Sequence, residues 1–126
     1  MTTSGSFSIG ALVMRIGFGG LMLTHGIPKM LEVFNGNLEV VGDPLGIGAL
    51  VTSILVIIGE VISPLLIIIG YKVRWTAIPT IITMAVAAFM IHGADPLAKK
   101  EMALLYLVGF VTIALMGAGK YSVSKR

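Results

Sequence analysis

Four apolar segments, each close to the length that crosses a lipid bilayer, occupy most of this 126-residue chain. A hydrocarbon core of about 30 Å requires about 20 apolar residues in a helix, so the chain has room for four spans and short connections. We predict an all-α fold, an antiparallel four-helix transmembrane bundle that forms a single membrane domain over residues 1–126. The predicted helices cover about residues 8–31, 48–70, 75–92 and 100–117.

The composition agrees with a membrane protein. Hydrophobic residues make up 56% of the chain and charged residues only 12%, and a soluble domain of this size carries more charge. The net charge is +3, but the Lys and Arg residues lie at segment ends and not in a patch with aromatic residues, which argues against nucleic-acid binding. The chain has no cysteine, which excludes a dithiol, an iron–sulfur cluster, a c-type haem attachment and a thiolate zinc site.

The distribution of Lys and Arg predicts the orientation of the bundle. With four spans, both termini lie on one side of the membrane. That side carries five basic residues and no acids, namely Lys72, Arg74, Lys120, Lys125 and Arg126. The opposite side carries three basic residues, Lys29, Lys99 and Lys100. The positive-inside rule therefore predicts that both termini are cytoplasmic.

A polar seam runs along the first helix. At about 100° per residue, one face carries Arg15, Gly19, Met22, Gly26 and Lys29, with His25 at its edge. An ionisable group in a membrane span indicates a functional site with a partner, and a lone charge at a span centre costs about 2.5–3.5 kcal/mol. Glu60 is the only acidic residue in the middle of a later apolar segment, so we predict that it pairs with Arg15.

The predicted Arg15–Glu60 pair has two interpretations. It could bind a ligand or relay protons, because arginine donates to a quinone or carboxylate oxygen and a half-buried glutamate can carry a proton. It could also be a structural ion pair that fixes how the first two helices dock. Pro64, one turn beyond Glu60, should bend the second helix and free the carbonyl of Glu60 for another donor.

A second polar set lies toward the other side of the membrane. His25 and Lys29 are one helical turn apart, and with His92 and Glu101 they form a possible additional site. Alternatively, Lys29 extends to the membrane interface and His25 is a hydrogen-bonded residue in a helix contact. His25 and His92 could ligate haem, or a metal together with Glu101. Their depths differ by about 9 Å, which argues against both, so we predict no metal site and no cofactor held by the chain itself.

Together these residues resemble the DoxX family of small four-span membrane proteins. The resemblance rests on RIGFGGLMLTHGIPKM, on GEVISPLLIIIGYKVR, on a histidine that ends the third helix and on GAGKYS. It implies a bacterial cytoplasmic (inner) membrane protein. Family members are linked to thiosulfate:quinone oxidoreductase subunits and to oxidoreductases of quinone and oxidative stress. Ser63-Pro64 departs from the small residues, such as Gly-Gly, that the family pattern leads us to expect.

The residues and the resemblance favour a small membrane subunit that binds a quinone-like or other lipophilic molecule and serves a redox or detoxification system. Arg15, His25 and Glu60 would line the polar end of its pocket. Any electrons would come from a redox partner or a bound cofactor, for which a bound quinone is the candidate, and the chain could form a homo-oligomer. Two alternatives stay open: a non-catalytic assembly factor or scaffold, and a small proton-coupled transporter with Glu60 as proton carrier. No residue set compels a reaction, so whether the protein is an enzyme is left open.

Overall fold

The computed structural model describes residues 5–124, which form an antiparallel bundle of four helices with no strand among them. The helices are α1 (Gly5–Phe34), α2 (Ala49–Ile69), α3 (Val73–Ile91) and α4 (Leu97–Met116). A short 3-10 helix, Leu38–Val40, lies in the connection between α1 and α2. The predicted all-α bundle is confirmed, and the helix ends lie within three residues of their predicted positions.

The helices present a largely apolar outer surface. By length and composition, α1, α2 and α3 can each cross a membrane. The fourth helix carries Lys99, Lys100 and Glu101 near its start, and residues 102–116 are free of charge. Large apolar side chains are exposed on all four helices, including Val13, Leu21, Leu50, Ile82, Leu105 and Leu115. An exposed apolar surface of this extent is typical of contact with lipid.

The two ends of the bundle differ. At one end, here called the loop end, the α1–α2 connection (35–48) lies beside the α3–α4 turn (92–96). At the opposite, tail end, the start of α1 lies beside the α2–α3 turn and residues 117–124. The prediction that the tail end is cytoplasmic stays a prediction. Residues 1–4, Lys125 and Arg126, on which it partly rests, lie outside the described residues.

Glycines allow α1 and α2 to pack closely. A Cβ atom at Gly26 would overlap the carbonyl oxygen of Glu60, and one at Gly19 would lie 3.2 Å from the carbonyl oxygen of Pro64. Small residues at such contacts let helix backbones approach in membranes. This antiparallel register places Gly26 beside Glu60 and, further toward the tail end, Arg15 beside Gly70. The core between the helices includes Met22, Ile67, Phe110 and Ile113.

A wide helical turn in α2 accommodates Pro64. The amide of Ser63 donates to the carbonyl of Ile58, five residues back, and Pro64 has no N–H of its own. The carbonyl oxygen of Gly59 therefore lacks a donor within its helix, and Thr80 Oγ1 on α3 donates to it at 2.5 Å. The sequence analysis expected the freed carbonyl at Glu60, and the carbonyl that receives a donor from α3 is that of Gly59, one residue earlier.

The Thr80–Gly59 hydrogen bond should stabilise the α2–α3 contact measurably. Thr80→Val is expected to lower the free energy of unfolding by about 1–3 kcal/mol, because it leaves a buried carbonyl without a donor. Pro64→Ala in the same background restores an N–H and should recover part of the loss. Thr76→Val is the matched control, since the Thr76 hydroxyl bonds within its own segment, to Tyr71 O. Equal losses at positions 76 and 80 in thermal unfolding would contradict this role.

Candidate functional site

The charged centre of the bundle is an ion pair between Lys29 and Glu60. The Lys29 ammonium donates to both carboxylate oxygens, at 2.9 Å to Oε1 and 3.1 Å to Oε2. The Glu60 side chain is 3% exposed and the Lys29 side chain 39%. Lys29 lies one turn beyond Gly26, which packs on the Glu60 backbone, so the close helix contact brings the two charges together. The ammonium keeps one N–H that Glu60 does not use.

The predicted pair between Arg15 and Glu60 is wrong. Arg15 is 0% exposed and donates to two backbone carbonyls, Nη1 to Ile68 at 3.3 Å and Nη2 to Tyr121 at 2.5 Å. Along α1, Arg15 lies about 16 Å from the level of Glu60. The first ten residues of α1 extend past the end of α2 and pack on residues 117–124, where Lys120 N contacts Ser8 Oγ.

Two cavities meet at the Lys29–Glu60 pair. The loop cavity, of about 450 Å³, lies between α2, α3 and residues 39–47. The bundle cavity, of about 260 Å³, lies between α1, α3 and α4. Both are lined by the same five residues, Lys29, Glu60, Met84, Ala87 and His92. The ion pair is therefore part of the wall that the two cavities share.

The loop cavity is mainly apolar. Its lining includes Val40, Val41, Leu45, Ile47, Leu55, Val56, Ile82, Val86 and Ile91. Leu55, Ile82 and Ile91 are each about half exposed on the outer face of the bundle, so the cavity reaches the apolar surface. Asp43 holds the connection that covers it, accepting from the amides of Ile47 at 2.9 Å and Gly48 at 3.0 Å.

Polar side chains form a larger fraction of the lining in the bundle cavity than in the loop cavity. His25, His92, Lys99 and Tyr106 line it together with the ion pair. The His25 ring lies edge-on to the Tyr106 ring, with centroids 5.6 Å apart. His92 Nδ1 lies 2.9 Å from Asp95 Oδ2. Lys29 and His92, two residues of the predicted additional site, thus line the same cavity as His25.

Glu101 and Arg15 line neither cavity. Tyr106 is a site residue that the sequence analysis missed. The available signal was a tyrosine within the uncharged stretch 102–116 of α4. Among residues 5–124, no group of three or more His, Cys, Asp or Glu side chains could hold a metal ion.

Both helices at the shared wall depart from α-helical geometry. Glu60 lies in the wide turn Ile58–Ile62 of α2, and a second wide turn, Ala87–Ile91, ends α3. The amide of His92 donates to the carbonyl of Ala87, five residues back, at 3.0 Å. Wide turns of this π type are rare and occur frequently at functional sites. Their position on both sides of one ion pair marks this region as the candidate site.

The fold and this site define a class: a small helical membrane protein with a buried ion pair between two ligand-sized cavities. The chain belongs to the DoxX family, whose sequence model matches residues 10–93. That match includes Lys29, Glu60 and His92, and α4 with Tyr106 lies beyond it. An uncharacterized protein of Haemophilus influenzae is 31% identical over 123 residues, covering 90% of this chain and 87% of the relative. None of the solved structures matches the chain.

Proposed function

We propose that this DoxX protein binds a quinone-like lipophilic molecule in the loop cavity and serves a redox or detoxification system of the bacterial cytoplasmic membrane. The observation that carries the proposal is the position of the Lys29–Glu60 pair at the inner wall of an apolar cavity. Such a combination of apolar lining and a few polar groups is typical of small-molecule sites. The ring of the ligand would lie at the ion pair and its apolar tail toward the lipid.

The polar end of the loop cavity supplies the groups that a quinone requires. A quinone carbonyl accepts hydrogen bonds and needs a donor. Lys29 has one N–H that Glu60 does not take, and Nε2 of His92 makes no hydrogen bond within residues 5–124. Glu60 can accept the proton of a quinol hydroxyl. These residues replace Arg15 and His25, which line other parts of the bundle, as the proposed contacts.

The size and access of the loop cavity support the same ligand class. Its volume of about 450 Å³ lies within the usual range for small-molecule sites, about 300–1,000 Å³. Because its lining includes apolar residues on the outer face of α2 and α3, a ligand dissolved in the bilayer can enter from the side. Electrons would reach the ligand from a redox partner, since the chain has no thiol.

The test is the identity of the molecule that copurifies. After purification in mild detergent, solvent extraction and mass spectrometry should find a quinone at near-equal stoichiometry. Val86→Phe fills the loop cavity and should remove most of it, whereas Ile78→Phe, on the same helix but outside both cavities, should retain it. Lys29→Met should also lose the quinone.

Three outcomes separate the proposal from its alternatives. A short-chain ubiquinone could also bind the purified protein with an affinity that none of the cavity substitutions lowers. That result would contradict the loop cavity as the binding site. A protein that carries only bulk phospholipid and binds no ubiquinone would contradict the function and favour the assembly role. Equal loss in the Val86 and Ile78 variants would show that the substitutions act through folding and not through the cavity.

A further inference from the structure

Several polar side chains that line the bundle cavity have hydrogen-bonding groups without a partner among residues 5–124. Within residues 5–124, the Lys99 ammonium and the Tyr106 hydroxyl make no hydrogen bond or ion pair, and the ring nitrogens of His25 make none either. The one acidic group in the lining is Glu60, and both of its oxygens are taken by Lys29. Lys99 can only donate and the Tyr106 hydroxyl can donate, so a ligand with acceptor oxygens would satisfy both.

The charge of the cavity points in the same direction. Lys29 neutralises Glu60, which leaves Lys99, an exposed residue, as the cation in the lining that has no acidic partner among residues 5–124. Lys99 also lies in the first turn of α4, where the helix dipole adds positive potential. The nearby acids do not line the cavity: Asp95 is engaged by His92, and Glu101 is exposed. The excess positive charge favours an anion.

The rest of the lining sets the size and character of the anion. The apolar part of the lining consists of Met22, Met84, Ala87, Met102 and Ala103. The volume of about 260 Å³ corresponds to the liquid volume of about nine water molecules, at about 30 Å³ each. A bare inorganic anion would leave the methionines in contact with empty space, so an anion with a compact apolar body fits better.

We propose that the bundle cavity binds a small organic carboxylate from the aqueous phase. Its carboxylate would contact Lys99 and Tyr106, and its apolar body would lie against the methionines. This site goes beyond the loop cavity and its quinone-like ligand, because the Lys29–Glu60 wall separates the two. Its existence does not depend on what the loop cavity holds.

Benzoate and benzamide test the proposal, because they share a shape and differ in charge. Calorimetric titration of the full-length protein in phosphatidylcholine nanodiscs, with empty nanodiscs subtracted, should show binding of benzoate. Benzamide is expected to bind at least about tenfold more weakly, since it cannot form charge-assisted hydrogen bonds. Equal affinity for the two probes, or no binding of benzoate, would overturn the proposal.

Two adjacent lysines provide matched variants. Lys99→Gln should raise the Kd for benzoate about three- to tenfold, the range expected for a partly solvated charge-assisted contact. Lys100→Gln should leave it unchanged, because Lys100 donates to the carbonyl of Gly93 and lines neither cavity. Tyr106→Phe keeps the ring packing and should raise the Kd by a similar factor as Lys99→Gln. Equal effects at positions 99 and 100 would contradict a site in this cavity.

A lipid headgroup could supply the same anionic chemistry. The titration is therefore repeated in nanodiscs that contain phosphatidylglycerol. An unchanged Kd for benzoate supports a soluble carboxylate as the ligand. If phosphatidylglycerol competes with benzoate and Lys99→Gln abolishes this competition, the cavity binds an anionic headgroup. That result would overturn the proposal of a soluble carboxylate.

Discussion

Lys29→Met is expected to lower the free energy of unfolding by about 2–3 kcal/mol. Removing one partner of a buried ion pair typically costs about 3–5 kcal/mol, and the partial exposure of Lys29 reduces that value. The loss arises because the Glu60 carboxylate, 3% exposed, is left without its counter-ion next to the backbone of Gly26. Reversible denaturation in mixed micelles measures the change.

The second half of this experiment removes both charges. Lys29→Met combined with Glu60→Gln should recover most of the lost stability, because no unpaired charge remains. The pair would then matter for ligand binding more than for folding, and the double variant should still lose the quinone. If the two single losses simply add, the Lys29–Glu60 contact does not contribute to stability.

Deletion of residues from 118 onward is expected to cost about 3–5 kcal/mol of stability. Arg15 is fully buried, has no carboxylate partner in the described part of the chain, and depends on the carbonyls of Ile68 and Tyr121. The deletion removes one of these acceptors. It also removes the amides of Val123 and Ser124 that bond to the carbonyls of Ile69 and Gly70 at the end of α2. Thermal unfolding in detergent and the yield of folded protein measure the loss.

Two variants separate the role of Arg15 from general effects of the deletion. Arg15→Met in the deleted protein should recover part of the stability, because it removes the buried charge that lost its acceptor. Tyr121→Ala in the full-length protein should have a small effect, since the hydrogen bond uses the backbone carbonyl and Tyr121 is 46% exposed. A large loss from Tyr121→Ala, with no recovery from Arg15→Met, would contradict this account.

The helices could be predicted from the sequence because their apolar segments and their Gly and Pro boundaries are local signals. The partner of Glu60 could not be predicted from the sequence. The predicted end of α1 at residue 31 placed Lys29 at the membrane interface, but the helix continues to Phe34. Lys29 therefore lies about 8 Å inside the helix end, within reach of Glu60. The register between α1 and α2, in which Gly26 packs on Glu60, determines which cation forms the ion pair.

The hydrogen-bond partners of Arg15 and Gly59 could not be predicted from the sequence for another reason. The acceptors of Arg15 are backbone carbonyls, and every residue has one, so sequence alone cannot single out Ile68 or Tyr121. The stripe of threonines on α3 did indicate a helix contact, and Thr80 makes one. Which carbonyl it reaches depends on the wide turn before Pro64, a geometry that a regular helix does not predict.

The contact between Arg15 and Tyr121 also bears on the order of events during synthesis. The chain emerges from the ribosome with α1 first, and Tyr121 follows only after α4 has been made. Until then the guanidinium lacks one of its two acceptors and must be satisfied by water or by lipid phosphates. Closure of the tail end is therefore a late step of biogenesis, because it requires residues that follow the last helix.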